Sequence, residues 1–355
     1  MEGGAETPRK PLPHLCIAVD ENDPRSDVLV LLKELRPEWK PEEIKLKYFT
    51  EGITNQLIGC YVDSLLGDVV LVRIYGNKTE LFVDRQREME NFRVLHQHDC
   101  APELYCSFQN GICYEFVQGE VMDDNLLRQP VIYRLIAKEM ARIHSIKPRK
   151  DCSSRPILWK KLSELLCLVK AAHSGSPGWP GSEVPRFEVL VSEIEALKQH
   201  LSTVDSCTVL CHNDLLIKNI IYNKAEGFVR FIDFEYTDFN YQAYDIGNHF
   251  NEFAGVNDVD YSLYPSQELQ RDWLTTYLES YKEYQGQKPT VSELEVQKLY
   301  VQVCKFSLAA HFSWGLWALL QARYSAIDFD FLRYAAARFD YYFQKKGEYM
   351  AMKLP

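Results

Sequence analysis

The side chains in this sequence best suited to chemistry fall in one stretch, His212-Asn213-Asp214-Leu215-Leu216-Ile217-Lys218-Asn219, and in Phe231-Ile232-Asp233-Phe234-Glu235 beyond it. Phosphoryl transfer asks little covalent work of a protein. It needs a divalent metal bridging the phosphates and a carboxylate that orients and deprotonates the attacking hydroxyl. A turn carrying Asp and, five residues later, Asn can meet both needs. Asp214 would face the hydroxyl as the base, Asn219 would ligate the metal, and Asp233 would be its main ligand. Hard oxygen donors of this kind suit Mg2+. Singly, Asp214 and Asn219 also read as turn residues and Asp233 as a strand-end cap. As an ordered set at strand–loop junctions they point to kinase-type chemistry. A metal-dependent hydrolase built on His212 and Asp214 would need further ligands at a spacing such as HExxH, which the sequence lacks. His212 reads instead as a loop brace.

Strands must hold those loops. TVLCHND, NIIYN and FVRFIDFEY read as short strands flanking polar turns. Upstream, KLKYF, LIGCYV and VVLVRIY are rich in β-branched and aromatic residues. A helical segment over 82–97 follows, then ELYCSF and ICYEFV joined by the turn signal QNG. The expected architecture is α+β with two lobes. Residues 1–24 form a flexible tail. Residues 25–118 form a small β-rich N-lobe that opens with a short amphipathic helix. Residues 119–355 form a larger, mostly helical C-lobe carrying the catalytic loop and the substrate pocket. VIYRLIAKEMARIH is the clearest early helix of that lobe, and 174–185 read as a Gly/Pro/Ser loop. A ligand cleft is expected between the lobes.

Composition narrows the class. Hydrophobic residues at 46% and charged residues at 25% of 355 are globular values. A net charge of -10 argues against a nucleic-acid groove and suits a cationic small substrate. Cys100, Cys106 and Cys113 are spaced by six and seven with no CxxC pair, so neither a zinc site nor a disulfide scaffold is expected. Cysteines inside apolar runs point to a reducing, cytoplasmic setting. Residues 1–15 contain three prolines and no long apolar core, so no secretory leader is expected. The apolar stretch Phe306 to Leu320 is interrupted by polar residues and reads as a buried helix, so no integral membrane segment is expected.

HNDLLIKN resembles the catalytic loop shared by aminoglycoside phosphotransferases and choline kinases, and IDFEY followed by YDIGNHFNEF resembles the choline/ethanolamine kinase family. FTEGITNQLIGCYV, VVLVRIYGNKTE and VDYSLYP are similar to its ethanolamine kinases, and the resemblance runs from about residue 28 to the end. It implies a protein-kinase-like two-lobe fold with a nucleotide-covering N-lobe, ATP as donor, Mg2+, and ethanolamine phosphorylated to phosphoethanolamine, the first step of phosphatidylethanolamine synthesis by the CDP-ethanolamine route. By position it makes Asp214 the catalytic base and Asn219 and Asp233 the metal ligands. Asp245 matches an aspartate that braces the catalytic loop, although its place ahead of DIGNHFNEF equally suits an N-cap.

On the nucleotide side, Thr50–Asn55 sits between two predicted strands with one glycine. Thr54 and Asn55 match the family's phosphate-holding pair. Arg73 in VVLVRIY could be a structural ion pair, or, as in choline kinases, the phosphate-binding cation. Its expected partner is Glu88, with Glu90 the alternative. Glu115 and Val117 would meet adenine through their main chain. The family's substrate pocket maps onto Tyr236, Glu252, Trp314, Trp317 and Tyr334. Trp314 and Trp317 share a helix face and also fit a plain core reading. After HFNE the chain reads Phe253-Ala254-Gly255-Val256, where choline kinases carry more aromatics. That loss weakens a cage for quaternary ammonium more than a site for a primary ammonium, which can donate N–H bonds. Choline, another amino alcohol or an aminoglycoside are the alternative acceptors, and a pseudokinase binding module is the alternative without catalysis. The assembly state stays open, a homodimer included.

Overall fold

The computed structural model describes residues 11–49, 55–76, 79–81, 83–148, 155–172, 179, 183–325 and 327–355. The chain divides into two units, one of residues 1–81 with 101–118, the other of 82–100 with 119–355.

The first unit is a six-stranded sheet in the order β1-β5-β6-β4-β3-β2. Its strands are β1 (His14–Leu15), β2 (Lys45–Phe49), β3 (Gln56–Tyr61), β4 (Val69–Ile74), β5 (Leu104–Phe108) and β6 (Gly111–Glu115). The pairs are antiparallel except β1 with β5. In β4 all six residues are buried, as a central strand covered on both faces demands. The helix α1 (Arg25–Leu35) lays Val28, Leu31 and Leu32 onto the sheet core with Ile58, Val70 and Val72. Gly111 is needed at the β5–β6 turn, because a Cβ there would lie 2.1 Å from the Arg73 carbonyl oxygen. The flexible-tail expectation for 1–24 needs correction beyond residue 13. His14 and Leu15 pair with Ser107 and Phe108, and Val19 is held at both its N–H and its carbonyl by Asn110. A two-residue strand has no periodicity to reveal it.

The second unit contains α2 (Arg85–Gln97), expected in the N-lobe. Its contacts explain the difference. Arg87 pairs with Asp238 at 2.8 Å, the Asn91 amide donates to the Thr237 carbonyl at 2.6 Å, and Phe92 meets Phe234 edge-on at 5.6 Å. The segment following Asp233 is thereby fastened to α2. Next come β7 (Glu120–Val121), α3 (Asp124–Leu127), α4 (Pro130–His144), α5 (Leu158–Ala172) and α6 (Phe187–Leu201). Then follow β8 (Thr208–Cys211), β9 (Ile220–Asn223), β10 (Phe228–Phe231), β11 (Asp238–Tyr241) and α7 (Gln242–Asn251). β10-β9-β7 form one small sheet and β11-β8 another. The chain ends with α8 (Gln267–Tyr284), α9 (Glu293–Tyr324) and α10 (Phe331–Ala351). α9 is long and apolar enough to cross a bilayer, yet 94% of its apolar window is buried within the unit, against α5, α7, α8 and α10. It is a core helix. Gly247 lets α7 touch it, since a Cβ there would come within 2.9 Å of the Val303 carbonyl.

Candidate active site

The loop after β8 is pinned from three directions. Asp245 on α7 is fully buried. Its Oδ2 accepts the His212 N–H at 2.9 Å, and its Oδ1 accepts the Asn213 N–H at 2.7 Å. His144, at the end of α4, reaches the same Oδ2 at 2.8 Å, and its other ring nitrogen meets the Tyr277 hydroxyl at 2.7 Å. Burial raises the Asp245 carboxyl, but His144, His212 and the Asn213 N–H together outweigh it, so the group sits below its usual range. The N-cap expectation for Asp245 is corrected here. α7 begins at Gln242 after Tyr241, so Asp245 lies inside the first turn, and its oxygens serve the loop rather than its own helix.

His212 ties the two halves of the motif together. Its Nε2 lies 2.9 Å from the Ile232 carbonyl, and its Nδ1 accepts the Asp214 N–H at 3.3 Å. Nε2 must therefore carry the ring proton, and burial pushes the imidazole below its usual pKa. The His212 ring thus joins the backbone of Asp214 to that of the residue before Asp233. The Asn219 amide donates to the Asp214 carbonyl at 2.9 Å, and the Ile232 N–H donates to the Asn219 carbonyl at 3.0 Å. With its NH2 committed, Asn219 keeps its side-chain oxygen as an acceptor. Asp214 is pushed well above the ordinary carboxyl range, first by burial and then by the charges of Asp233, Glu252 and Glu235, with Arg338 acting in the opposite sense.

Around this acid cluster stand the aromatic residues. The Trp317 indole donates to the Tyr236 hydroxyl at 3.1 Å. Trp314 meets both rings edge-on at 5.4 Å and donates to Asn248 Oδ1 at 2.8 Å. The Asn248 NH2 in turn donates to the Asn213 carbonyl at 3.2 Å, so the tryptophan is wired to the loop. Glu252, in the turn that ends α7, accepts from Arg338 at 2.8 Å, and the Arg338 guanidinium lies over the Tyr334 ring at 5.6 Å. A cavity of about 550 Å3 has Tyr236, Trp314, Trp317 and Glu235 among its walls, while Asp214, Glu252 and Tyr334 are not among them. The aromatic trio and Glu235 thus form part of the wall of this cavity.

The nucleotide-side residues fall in both units. Thr54 lies outside the described residues. Asn55 accepts the Gly76 N–H through its side chain at 3.3 Å. Arg73 is buried in β4 opposite Leu57 and Ile112. Glu115 ends β6 with its N–H spent on the Glu103 carbonyl at 2.9 Å, and Val117 follows it, half-buried. In the second unit, Glu88 is buried and receives Arg85 at 2.9 Å, which also reaches Glu235 at 3.0 Å, while Glu90 is exposed. Arg85, Asn248 and Arg338 were missed in the sequence. Only Arg338 left a local signal, an arginine one helical turn after Tyr334 in an aromatic-rich stretch.

The family model for choline/ethanolamine kinase matches residues 46–343. The chain is 53% identical over 349 residues to ethanolamine kinase 1 of Mus musculus, covering 97% of this chain and 96% of that protein. It is 53% identical over 339 residues to ethanolamine kinase 2 of Homo sapiens, covering 96% and 86%. A solved ethanolamine kinase of Plasmodium vivax superposes with a TM-score of 0.78 at 30% identity, covering 88% of this chain and 86% of that one. The chain belongs to the choline/ethanolamine kinase family, a kinase family that uses ATP, and has its protein-kinase-like fold.

Proposed function

We propose that this protein transfers the terminal phosphoryl group of ATP to the hydroxyl of ethanolamine, releasing phosphoethanolamine and ADP in the cytoplasm. The observation that carries the reading is the brace through His212. It couples Asp214 and Asn219 to the strand end bearing Asp233, beside an aromatic wall with Glu252 close by. The free thiols of the described cysteines agree with a reducing compartment.

In this reading Asp214 accepts the hydroxyl proton. A carboxyl raised by burial and by its acidic neighbours is a better proton acceptor than one at its ordinary value. The donor set fits a magnesium ion: Asp233 supplies a carboxylate, and Asn219 an oxygen whose amide partner is fixed on the Asp214 carbonyl. When bound, the ion would neutralise phosphate charge and relieve the mutual repulsion of the acidic cluster. Asn55 and Arg73 would hold phosphate oxygens, with Glu88 remaining the acidic residue expected to serve that arginine from the sequence. The Glu115 carbonyl and the Val117 N–H would meet adenine, because the Glu115 N–H is already spent. Tyr236, Trp314, Trp317 and Tyr334 would surround the ammonium, and Glu252 would accept its N–H bonds. His212 and Asp245 would hold the loop.

The test is ADP release measured over ethanolamine, its mono- and dimethyl forms, and choline. Ethanolamine should exceed choline in kcat/KM at least tenfold, about 1.4 kcal/mol in transition-state binding. Asp214→Ala should abolish transfer and leave ATP binding nearly intact. Equal turnover of both alcohols would remove the substrate preference, and a variant keeping a tenth of wild-type turnover would remove Asp214 as the base.

A further inference from the structure

Among the described residues, the Arg338 guanidinium acts on the buried Asp214 carboxyl in the sense opposite to Asp233, Glu252 and Glu235. It lies on α10 with 1% exposure, and its Nη1 donates to Glu252 Oε1 at 2.8 Å. Tyr334 lies against its guanidinium, and Tyr261 and His311 sense the same charge. Its Nε and Nη2 are buried and form no hydrogen bond of good geometry, although the Tyr261 hydroxyl interacts with the guanidinium. Glu252 is 3% exposed, and this single ion pair engages only its Oε1.

Such an arrangement is a poor way to stabilise a fold. Burying two charges costs more than their attraction commonly returns, and a well-packed apolar pair often does as well or better. Each unsatisfied guanidinium N–H adds a further desolvation penalty. A buried cation in this state needs another reason to be there. The reason on hand is Glu252: a carboxylate this deep cannot present a negative oxygen to a ligand unless a cation balances it and fixes its rotamer.

Resting on the ethanolamine reading above, we propose that Arg338 is a positioning residue for the ammonium end of the substrate. It anchors Glu252 through Oε1 and balances its charge, leaving Oε2 to accept an N–H from a small primary ammonium. In this reading Arg338 acts on the substrate through Glu252, so its main effect belongs on the affinity for the amino alcohol.

A double-mutant cycle decides this, with R338M, E252Q and R338M/E252Q, and R338K as the conservative variant. Steady-state KM values for ethanolamine and for ATP are measured alongside calorimetric binding of ethanolammonium and thermal melts. R338M should raise the ethanolamine KM and dissociation constant at least tenfold and leave the ATP KM within twofold. The double variant should be no worse than E252Q alone, because the arginine acts through the glutamate. R338K should recover part of the loss, since lysine restores the charge without the fork. Parallel rises in both KM values, or penalties that multiply across the cycle, overturn the proposal. If R338M does not fold, comparing R338K with R338K/E252Q reads the same coupling. A wild-type chain that binds ethanolammonium without phosphorylating it sinks the proposed reaction, and the binding cycle still decides the role of Arg338. A wild-type chain that does neither overturns both.

Discussion

Two non-glycine residues of the catalytic region sit in the left-handed part of backbone space, Asn213 at φ 67° and Asp233 at φ 65°. Asparagine and aspartate tolerate this conformation better than other residues with a Cβ. Asn213 is also held by its side chain: its NH2 reaches the Tyr236 carbonyl at 2.9 Å, and its oxygen accepts from Asn240 at 2.9 Å. Asn213→Gly keeps the conformation and loses those bonds, whereas Asn213→Ala loses both. Urea unfolding should therefore find Ala less stable than Gly by about 1 kcal/mol, reversing the usual order in regular structure. Equal stability of the two variants would mean that the left-handed turn is not strained. The residues legible in the sequence were those whose meaning is local. The Asp-x4-Asn spacing and the strand-end Asp233 pointed to kinase chemistry, the class the family match shows, without any fold. Asp245 was legible as important but not in its placement, because whether a carboxylate caps its own helix or a distant loop is decided by packing. Asn248 acts only through partners dozens of residues away, and nothing near it says so; Arg338 has Tyr334 one helical turn before it, but its Glu252 partner is 86 residues distant.

At the scale of elements, strands with continuous apolar runs and the helix Pro130–His144 could be read directly from periodicity, and β4 with its buried arginine is the clearest case. The membership of α2 could not. Its sequence is amphipathic, but which body it joins depends on Arg85, Arg87 and Asn91 finding residues 234–238. Arg85 is the keystone, shared between Glu88 and Glu235, whose side chains are 0% and 2% exposed. Arg85→Met would leave two buried carboxylates without the cation they share, a loss on the order of 3 kcal/mol. Hydrogen exchange should then show α2 and residues 234–238 losing protection together, while α9 keeps its own. If α2 stays protected in that variant, its docking rests on Phe92 and Asn91 instead of on the ion pair.

At the scale of the molecule, the second unit carries a set of histidines that fold neutral. Burial pushes His249 down to about 4, and it pushes His212 and His311 below the ordinary imidazole value of 6.5 as well. A base depressed in the folded state stays neutral there while the unfolded chain takes up a proton. Its contribution is therefore complete above pH 6.5 and is lost as pH falls toward the folded value, at about 1.4 kcal/mol per pH unit for each histidine. Asp214 and Glu139, raised by burial, run the other way, since the folded state holds their protons longer than the unfolded chain does. A comparison of wild type with His249→Phe cancels those opposing groups. The phenyl ring suits the surroundings, for the His249 ring lies against Phe250, Phe253 and Trp273, but the bond from Nδ1 to the Leu215 carbonyl at 3.0 Å is lost. The variant should be about 1–3 kcal/mol less stable than wild type at pH 7.5, the cost of an unpaired buried carbonyl. That gap should then close by about 1.4 kcal/mol for each pH unit below 6.5, because only the wild type has an imidazole to protonate on unfolding. Urea midpoints at pH 7.5, 6.0 and 5.0 measure it, and a gap that stays constant across the three would show that His249 titrates alike in the folded and unfolded chains.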